Sequence, residues 1–257
     1  MDRRIVVVLP GTRDTSKNIT KYLRDLDVEF KIIPIIDVKI DYDEIESARR
    51  AFLSGFTPEI SVFTSKTAVK TVKKLLPEAW KHAEKHSLAI GPGTASLLKK
   101  LGIVKVEYPE EHSSEGLVKY LVDLPYSTTL VVYCSSEVNF RLERFIRDYF
   151  KQSYLWKLYS LSEKNTSMKK IVEFIGRDHY KTYIIVVTSL KILQIISREN
   201  ELFTKYRNVF LSVISKRLIN EALHLGLKVD HYSSINNIRE YYIELRKYIS
   251  DLISGFS

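Results

Sequence analysis

The stretch ISVFTSKTAVKTVKKLL, Ile60 to Leu76, changes period in its middle. Ile60 to Phe63 form a short apolar run of strand character that stops at two hydroxyl residues, Thr64 and Ser65. From Lys66 onward the apolar residues Ala68, Val69, Val72, Leu75 and Leu76 recur at three- and four-residue steps, the spacing of one helix face. Thr64 and Ser65 therefore occupy a strand-to-helix corner, where such side chains satisfy the orphan amides of a first helical turn. The same corner returns as VVTSLKIL, Val186 to Leu193, with Thr188 and Ser189 in the equivalent places.

The repetition is long-range and in register. AIGPGTASLLKKLG (89–102) is answered by VISKRLINEALHLG (213–226), and KVEY by KVDHY. The offsets 188 − 64, 215 − 91 and 226 − 102 all equal 124. The first copy continues into a strand-helix-strand unit, TLVVYC, VNFRLERFIRDYF and YLWKLYSL, which the second copy lacks at the C-terminus. The N-terminal segment IVVVLPGTRDTSKNITKYLRDLDVEFKIIPIIDV supplies one, Arg24-Asp25 preceding Arg147-Asp148 by 123 positions. The spacing predicts a discontinuous α/β domain from residues 1–36 and 166–257, with a second α/β domain, 42–158, inserted in it. Residues 37–41 and 159–165 would be the linkers, two adjacent extended crossings forming a hinge with a cleft on one side.

Short β-rich runs alternate with helical patterns almost throughout, including a run read as VEFKIIPIIDVKI. The fold class expected is thus α/β, two similar domains with mainly parallel sheets joined by a two-stranded linker. Apolar residues, 45% of the chain, suffice for two cores, and a mixed 28% of charged residues excludes a disordered tail. No apolar run approaches the roughly 20 residues of a membrane span. The basic start MDRR precedes too short an apolar core for a signal peptide. A cytoplasmic address is the expectation, and the single cysteine, Cys134, suits a reducing compartment and reads as a buried residue. The net charge of +9 favours an anionic partner: nucleic acid, an acidic membrane surface or a small polyanion.

Parallel α/β sheets bind ligands at the carboxyl ends of their strands, where free amides and helix dipoles attract anions. GPGT, Gly91 to Thr94, is such a turn, in which Gly91 and Gly93 would allow close approach and Thr94 offers a hydroxyl. It is no dinucleotide fingerprint, because Ser96 stands where a third glycine or alanine belongs. The six histidines are scattered and no Cys pair supports a metal site. A hydrolase elbow is lacking too. Basic helix faces such as KTVKKLL read as solvated surface.

VFTSKTAV, AIGPGTASLLKKLG, EYPEEHSSEGLVKYL, KLYSL and VVTSLKIL, in this order and spacing, resemble the uroporphyrinogen-III synthase family over nearly the whole chain. The resemblance implies two α/β domains on a two-stranded linker and a monomeric, cytoplasmic lyase without metal or cofactor. It would take hydroxymethylbilane, a linear tetrapyrrole octacarboxylate, lose water, invert the last pyrrole ring and close the macrocycle, feeding haem, sirohaem or cobalamin biosynthesis. The course implied is loss of hydroxide to an azafulvene, attack through a spirocyclic pyrrolenine and re-closure. By the same resemblance Thr64, Ser65, Gly91, Gly93, Thr94, Ser113, Ser114, Thr188 and Ser189 would hold carboxylates, and Tyr159 would assist the departing hydroxyl as proton donor. Where many members carry a second Gly-Pro-x-Thr turn, this chain has SKRL, Ser215 to Leu218. Leu218 loses the hydroxyl, while Lys216 and Arg217 would make binding there ionic. Two rivals share some of these features: a non-catalytic two-domain binding or sensor protein for a polyanionic small molecule, and a nucleic-acid binder. The latter would show basic residues with stacking aromatics on one face, and no such module is seen. The reading therefore includes no nucleic acid and no membrane as partner.

Overall fold

Pro34 stands in the middle of the apolar run that begins at Val28, between Ile33 and Ile35, whose amides donate to the Leu9 and Pro10 carbonyls at 3.1 and 2.9 Å. In the computed structural model, which describes residues 4–164, 167–233 and 238–255 apart from the side chain of Asp14, the run is two strands rather than one. The chain begins β1 (Ile5–Leu9), α1 (Arg13–Leu23), β2 (Val28–Ile32), β3 (Ile36–Ile40), α2 (Tyr42–Leu53), β4 (Ile60–Phe63), α3 (Lys66–Leu75) and α4 (Pro77–Ala83). It continues β5 (Ser87–Ala89), α5 (Pro92–Lys100), β6 (Val106–Glu107), α6 (Ser114–Leu121), β7 (Leu130–Ser135), α7 (Phe140–Tyr149) and β8 (Ser153–Glu163). The remainder is α8 (Ser167–Gly176), β9 (Thr182–Val187), α9 (Leu190–Ser197), α10 (Glu201–Lys205), β10 (Val209–Val213), α11 (Lys216–His224), β11 (His231–Tyr232) and α12 (Ile238–Gly255).

Two compact units divide these elements, one from Met1–Asp37 and Ser162–Ser257, the other from Val38–Leu161. The division falls within β3 and β8, which neighbour one another in a sheet. Of the segment 159–165, Asn165 lies outside the described residues.

The inserted unit is built on a sheet of order β3-β8-β7-β4-β5-β6, with β8, β7, β4, β5 and β6 parallel. One face packs Phe63, Tyr133 and Trp156 against Ile45 and Phe52 of α2, Val69 and Val72 of α3, Trp80 of α4 and Leu98 of α5. The other packs Val62, Val132 and Cys134 against Leu117 and Leu121 of α6 and Leu142 and Ile146 of α7. Strand residues that alternate between two helical layers are buried on both faces, which is why β4 and β7 are largely apolar, with Ser61 of β4 buried among its apolar neighbours. Full burial of each such side chain contributes roughly 1.5–3 kcal/mol.

The discontinuous unit has sheet order β11-β10-β9-β1-β2, all parallel. On one face Ile5, Val7, Leu9, Ile184 and Val186 meet Ile19 and Leu23 of α1 and Tyr241, Leu245 and Ile249 of α12. Arg246 of α12 makes a two-pronged pair with Asp25, at 2.5 and 2.7 Å. Position for position, β11, β10, β9, β1 and β2 correspond to β6, β5, β4, β7 and β8 of the other unit. α5 spans 92–100 and α11 spans 216–224, so both ends keep the offset of 124 (216 − 92, 224 − 100). The glycines that follow, Gly102 and Gly226, both adopt positive φ, 98° and 72°, which stops each helix with a left-handed residue.

Candidate active site

In the inserted unit the carboxyl ends of four parallel strands lie along one sheet edge and deliver the corners read from the sequence. Ser65 caps α3, its hydroxyl oxygen accepting from the Ala68 amide at 2.9 Å. Thr64 points back into the sheet and donates to the Tyr133 carbonyl at 3.2 Å, which commits its proton to the protein.

Tyr159 comes from β8, two strands away from β4 in the sheet order. Strict alternation along WKLY would put Tyr159 on the face opposite Trp156. The register between β7 and β8 slips here: Cys134 pairs with Lys157 but Ser135 with Tyr159, leaving Leu158 as an extra residue. This bulge turns Tyr159 to the face of Trp156 and Leu158, where all three are buried in one cluster. Lys157 keeps the other face and reaches Glu143 of α7 at 2.9 Å. The Tyr159 hydroxyl consequently sits 2.7 Å from the Ser65 hydroxyl. Burial pushes the phenol above its ordinary value, with hydrogen bonds from Ser65 and Ser135 pulling the other way. At neutral pH it is therefore a protonated donor rather than a base. Ser65 already accepts from the Ala68 amide, so a Ser65 proton directed to the phenol oxygen frees the phenol proton to be given elsewhere.

Gly91 caps α5 in extended conformation, φ 179°. A Cβ there would lie 3.0 Å from Cβ of His112, and one at Gly93 would lie 3.3 Å from Cε and 3.4 Å from Nζ of Lys66. The two glycines thus make room for neighbouring side chains of the protein itself. Thr94 is buried at the same turn. Ser113 caps α6 through the Gly116 amide, 3.0 Å, and donates to Glu111 at 2.8 Å. Lys119 and Ser113 hold Glu111 below the usual carboxylate range, so this hydroxyl serves an anion of the protein. Ser114 follows as the first residue of α6, half-buried.

The discontinuous unit carries its corners on the carboxyl ends of β9 and β10. Ser189 caps α9 by accepting from Ile192 at 3.4 Å. The Thr188 hydroxyl differs from that of Thr64: among the described residues it has no hydrogen-bond partner, and its oxygen lies 3.7 Å from where a Cβ of Gly11 would be. Ser215 has the extended geometry of a cap, φ −156° and ψ 158°, without a side-chain bond to the helix. Lys216 and Arg217 are exposed, whereas Leu218 is 5% exposed and belongs to the core.

The sequence reading did not single out Ser135, which pairs with Tyr159 in the β7–β8 register, or Lys66, which lies across Gly93. YCSS occupies the same strand-end position as the other corners and was a usable signal. Cys134 is fully buried, its thiol pushed up to about 12 by burial, and it takes no part in the edge. Among the described residues no group of three or more His, Cys, Asp or Glu could hold a metal ion.

None of the curated proteins matches this chain. A uroporphyrinogen III synthase structure from Thermus thermophilus, a mutant in selenomethionine form, superposes with a TM-score of 0.63 at 14% identity, covering 96% of this chain and 98% of that one. Uroporphyrinogen-III synthetase from Helicobacter pylori gives 0.59 at 13% identity, covering 96% and 99%. At such identities the likeness shows the shared fold. The family model for uroporphyrinogen-III synthase HemD matches residues 17–240, which takes in both units and every residue discussed above as part of the site. The chain belongs to the uroporphyrinogen-III synthase family.

Proposed function

We propose that Tyr159, backed by Ser65, gives its proton to the hydroxyl that leaves hydroxymethylbilane. The reaction is the family's: a cyclising lyase, independent of cofactors, closes the linear tetrapyrrole with inversion of the last ring and loss of water. The observation that carries the assignment is the 2.7 Å pair between Tyr159 and Ser65. It places a protonated, buried phenol beside a hydroxyl that can take over its hydrogen bonding when the proton departs. The unassisted chain also closes, without inversion, so holding one folded geometry is the larger task. Many weak donors serve that task better than one nucleophile. We assign it to Thr188, Ser189, Ser215, Lys216 and Arg217 in one unit, and to Gly91, Gly93, Thr94 and Ser114 in the other, with Thr64 and Ser113, whose protons go to the Tyr133 carbonyl and to Glu111, shaping their corners of the site. The net charge of +9 suits an octacarboxylate.

We further infer a monomer acting in the cytoplasm, with residues 37–41 and 159–165 as linkers between the domains. We include neither nucleic acid nor membrane as a partner. Among the described residues no helix is long and apolar enough to cross a membrane. The test is incubation with freshly prepared hydroxymethylbilane, then oxidation and separation of the type I and type III uroporphyrins. Predominant type III product supports the reading. Type I alone, at the rate of the uncatalysed control, overturns it.

A further inference from the structure

Two helices that begin at neighbouring strand ends of the inserted unit, α3 and α5, bring Lys66 across Gly93, with Nζ 3.4 Å from the place a Cβ would take. Lys66 is exposed, and among the described residues it has no acidic partner. The repeat supplies a second, independent observation. The position equivalent to Lys66 in the other unit is Leu190 (190 − 66 = 124), and those equivalent to Pro92 and Gly93 are Lys216 and Arg217 (216 − 92 = 217 − 93 = 124). In each unit, then, one of these equivalent positions is cationic: Lys66 on the first helix of one unit, Lys216 and Arg217 on the second helix of the other. Where the cation comes from the first helix, the second has a glycine that lets it cross. Where it comes from the second, the first has a neutral leucine.

We propose that Lys66 binds a carboxylate of the tetrapyrrole and positions it, performing in the inserted unit what Lys216 and Arg217 perform in the other. This rests on the function proposed above. An ammonium adds long-range attraction that hydroxyls and amides lack, and its contribution falls with ionic strength. It does no chemistry, so its loss falls on substrate binding.

The test compares Lys66→Met and Lys66→Arg with the wild type, measuring kcat and KM for hydroxymethylbilane at low and moderate salt, with melting temperature as the folding control. Lys66→Met should raise KM about tenfold, change kcat less than threefold and weaken the salt dependence of KM, while Lys66→Arg stays within threefold of wild type. A Lys66→Met KM within twofold of wild type at both salt concentrations overturns the inference, as does a fall confined to kcat. Failure of the wild type to form type III product would instead strike the proposed function, so the two failures are distinguishable.

Discussion

The hydroxyls of Ser65 and Tyr159 lie 2.7 Å apart although 94 positions separate them in the chain. One residue caps a helix, and the other is aimed there by a bulge in β8. Ser65→Ala removes two bonds at once, the Ala68 cap and the phenol's partner. Loss of the cap costs about 1 kcal/mol, readable in urea unfolding. Turnover should fall about tenfold beyond what that instability explains, while Ser65→Thr restores most of both.

The two threonines of the repeated corner are not equivalent. Thr64 donates to the Tyr133 carbonyl, whereas the Thr188 hydroxyl has no partner among the described residues. Thr64→Val is expected to cost about 1 kcal/mol of stability with a modest change in KM. Thr188→Val should leave the melting temperature within a degree or two and raise KM about tenfold. Paired melting and steady-state measurements separate the two patterns.

Gly116 has no room for a side chain, since a Cβ there would lie 1.8 Å from the Glu111 carbonyl oxygen. Backbone cannot yield as a flexible side chain can. Gly116→Ala should displace the 107–113 loop and cost roughly 3 kcal/mol, the upper range for overpacking. Chemical denaturation checks this.

Alkaline pH should unfold the protein through its tyrosines. Burial pushes Tyr183 and Tyr242 up to about 12, and raises Tyr133 and Tyr241 as well. In the unfolded chain these groups ionise near 10. Between about pH 10 and 12 the unfolded state therefore releases protons that the folded state retains, and stability falls as pH rises. Urea midpoints should be level from pH 7.5 to 9 and drop steeply by pH 11. A level profile to pH 11 would contradict the burial of these phenols.

Much of this was legible before any coordinates. The corners at Thr64-Ser65 and Thr188-Ser189 announce themselves by a change of period, and the 124-residue offset holds to the very ends of α5 and α11. The family resemblance pointed to Tyr159, but its orientation was not legible. WKLY alternates regularly, and the bulge at Leu158 exists only because β8 pairs with β7 in a slipped register. The same holds for Lys66, whose partner at Gly93 lies 27 positions away (93 − 66) and becomes a neighbour only through the β4–β5 pairing. Local pattern fixes which residues start a helix. Which side chains then meet depends on strand order and register. VEFKIIPIIDVKI is two strands rather than one run because it changes sheet, β2 pairing with β1 and β3 lying beside β8.

Tyr159 as proton donor is the claim on which the chemistry rests, and the rate of type III product formation by Tyr159→Phe tests it most directly. Assays belong at a temperature where wild type and variant are both folded, since the phenylalanine ring fills the same buried space. Proton donation typically contributes 10²- to 10⁴-fold, and loss of hydroxide from an electron-rich pyrrole is already easy, so the account predicts a fall of about a hundredfold. A Tyr159→Phe variant that forms type III product at the wild-type rate would contradict it.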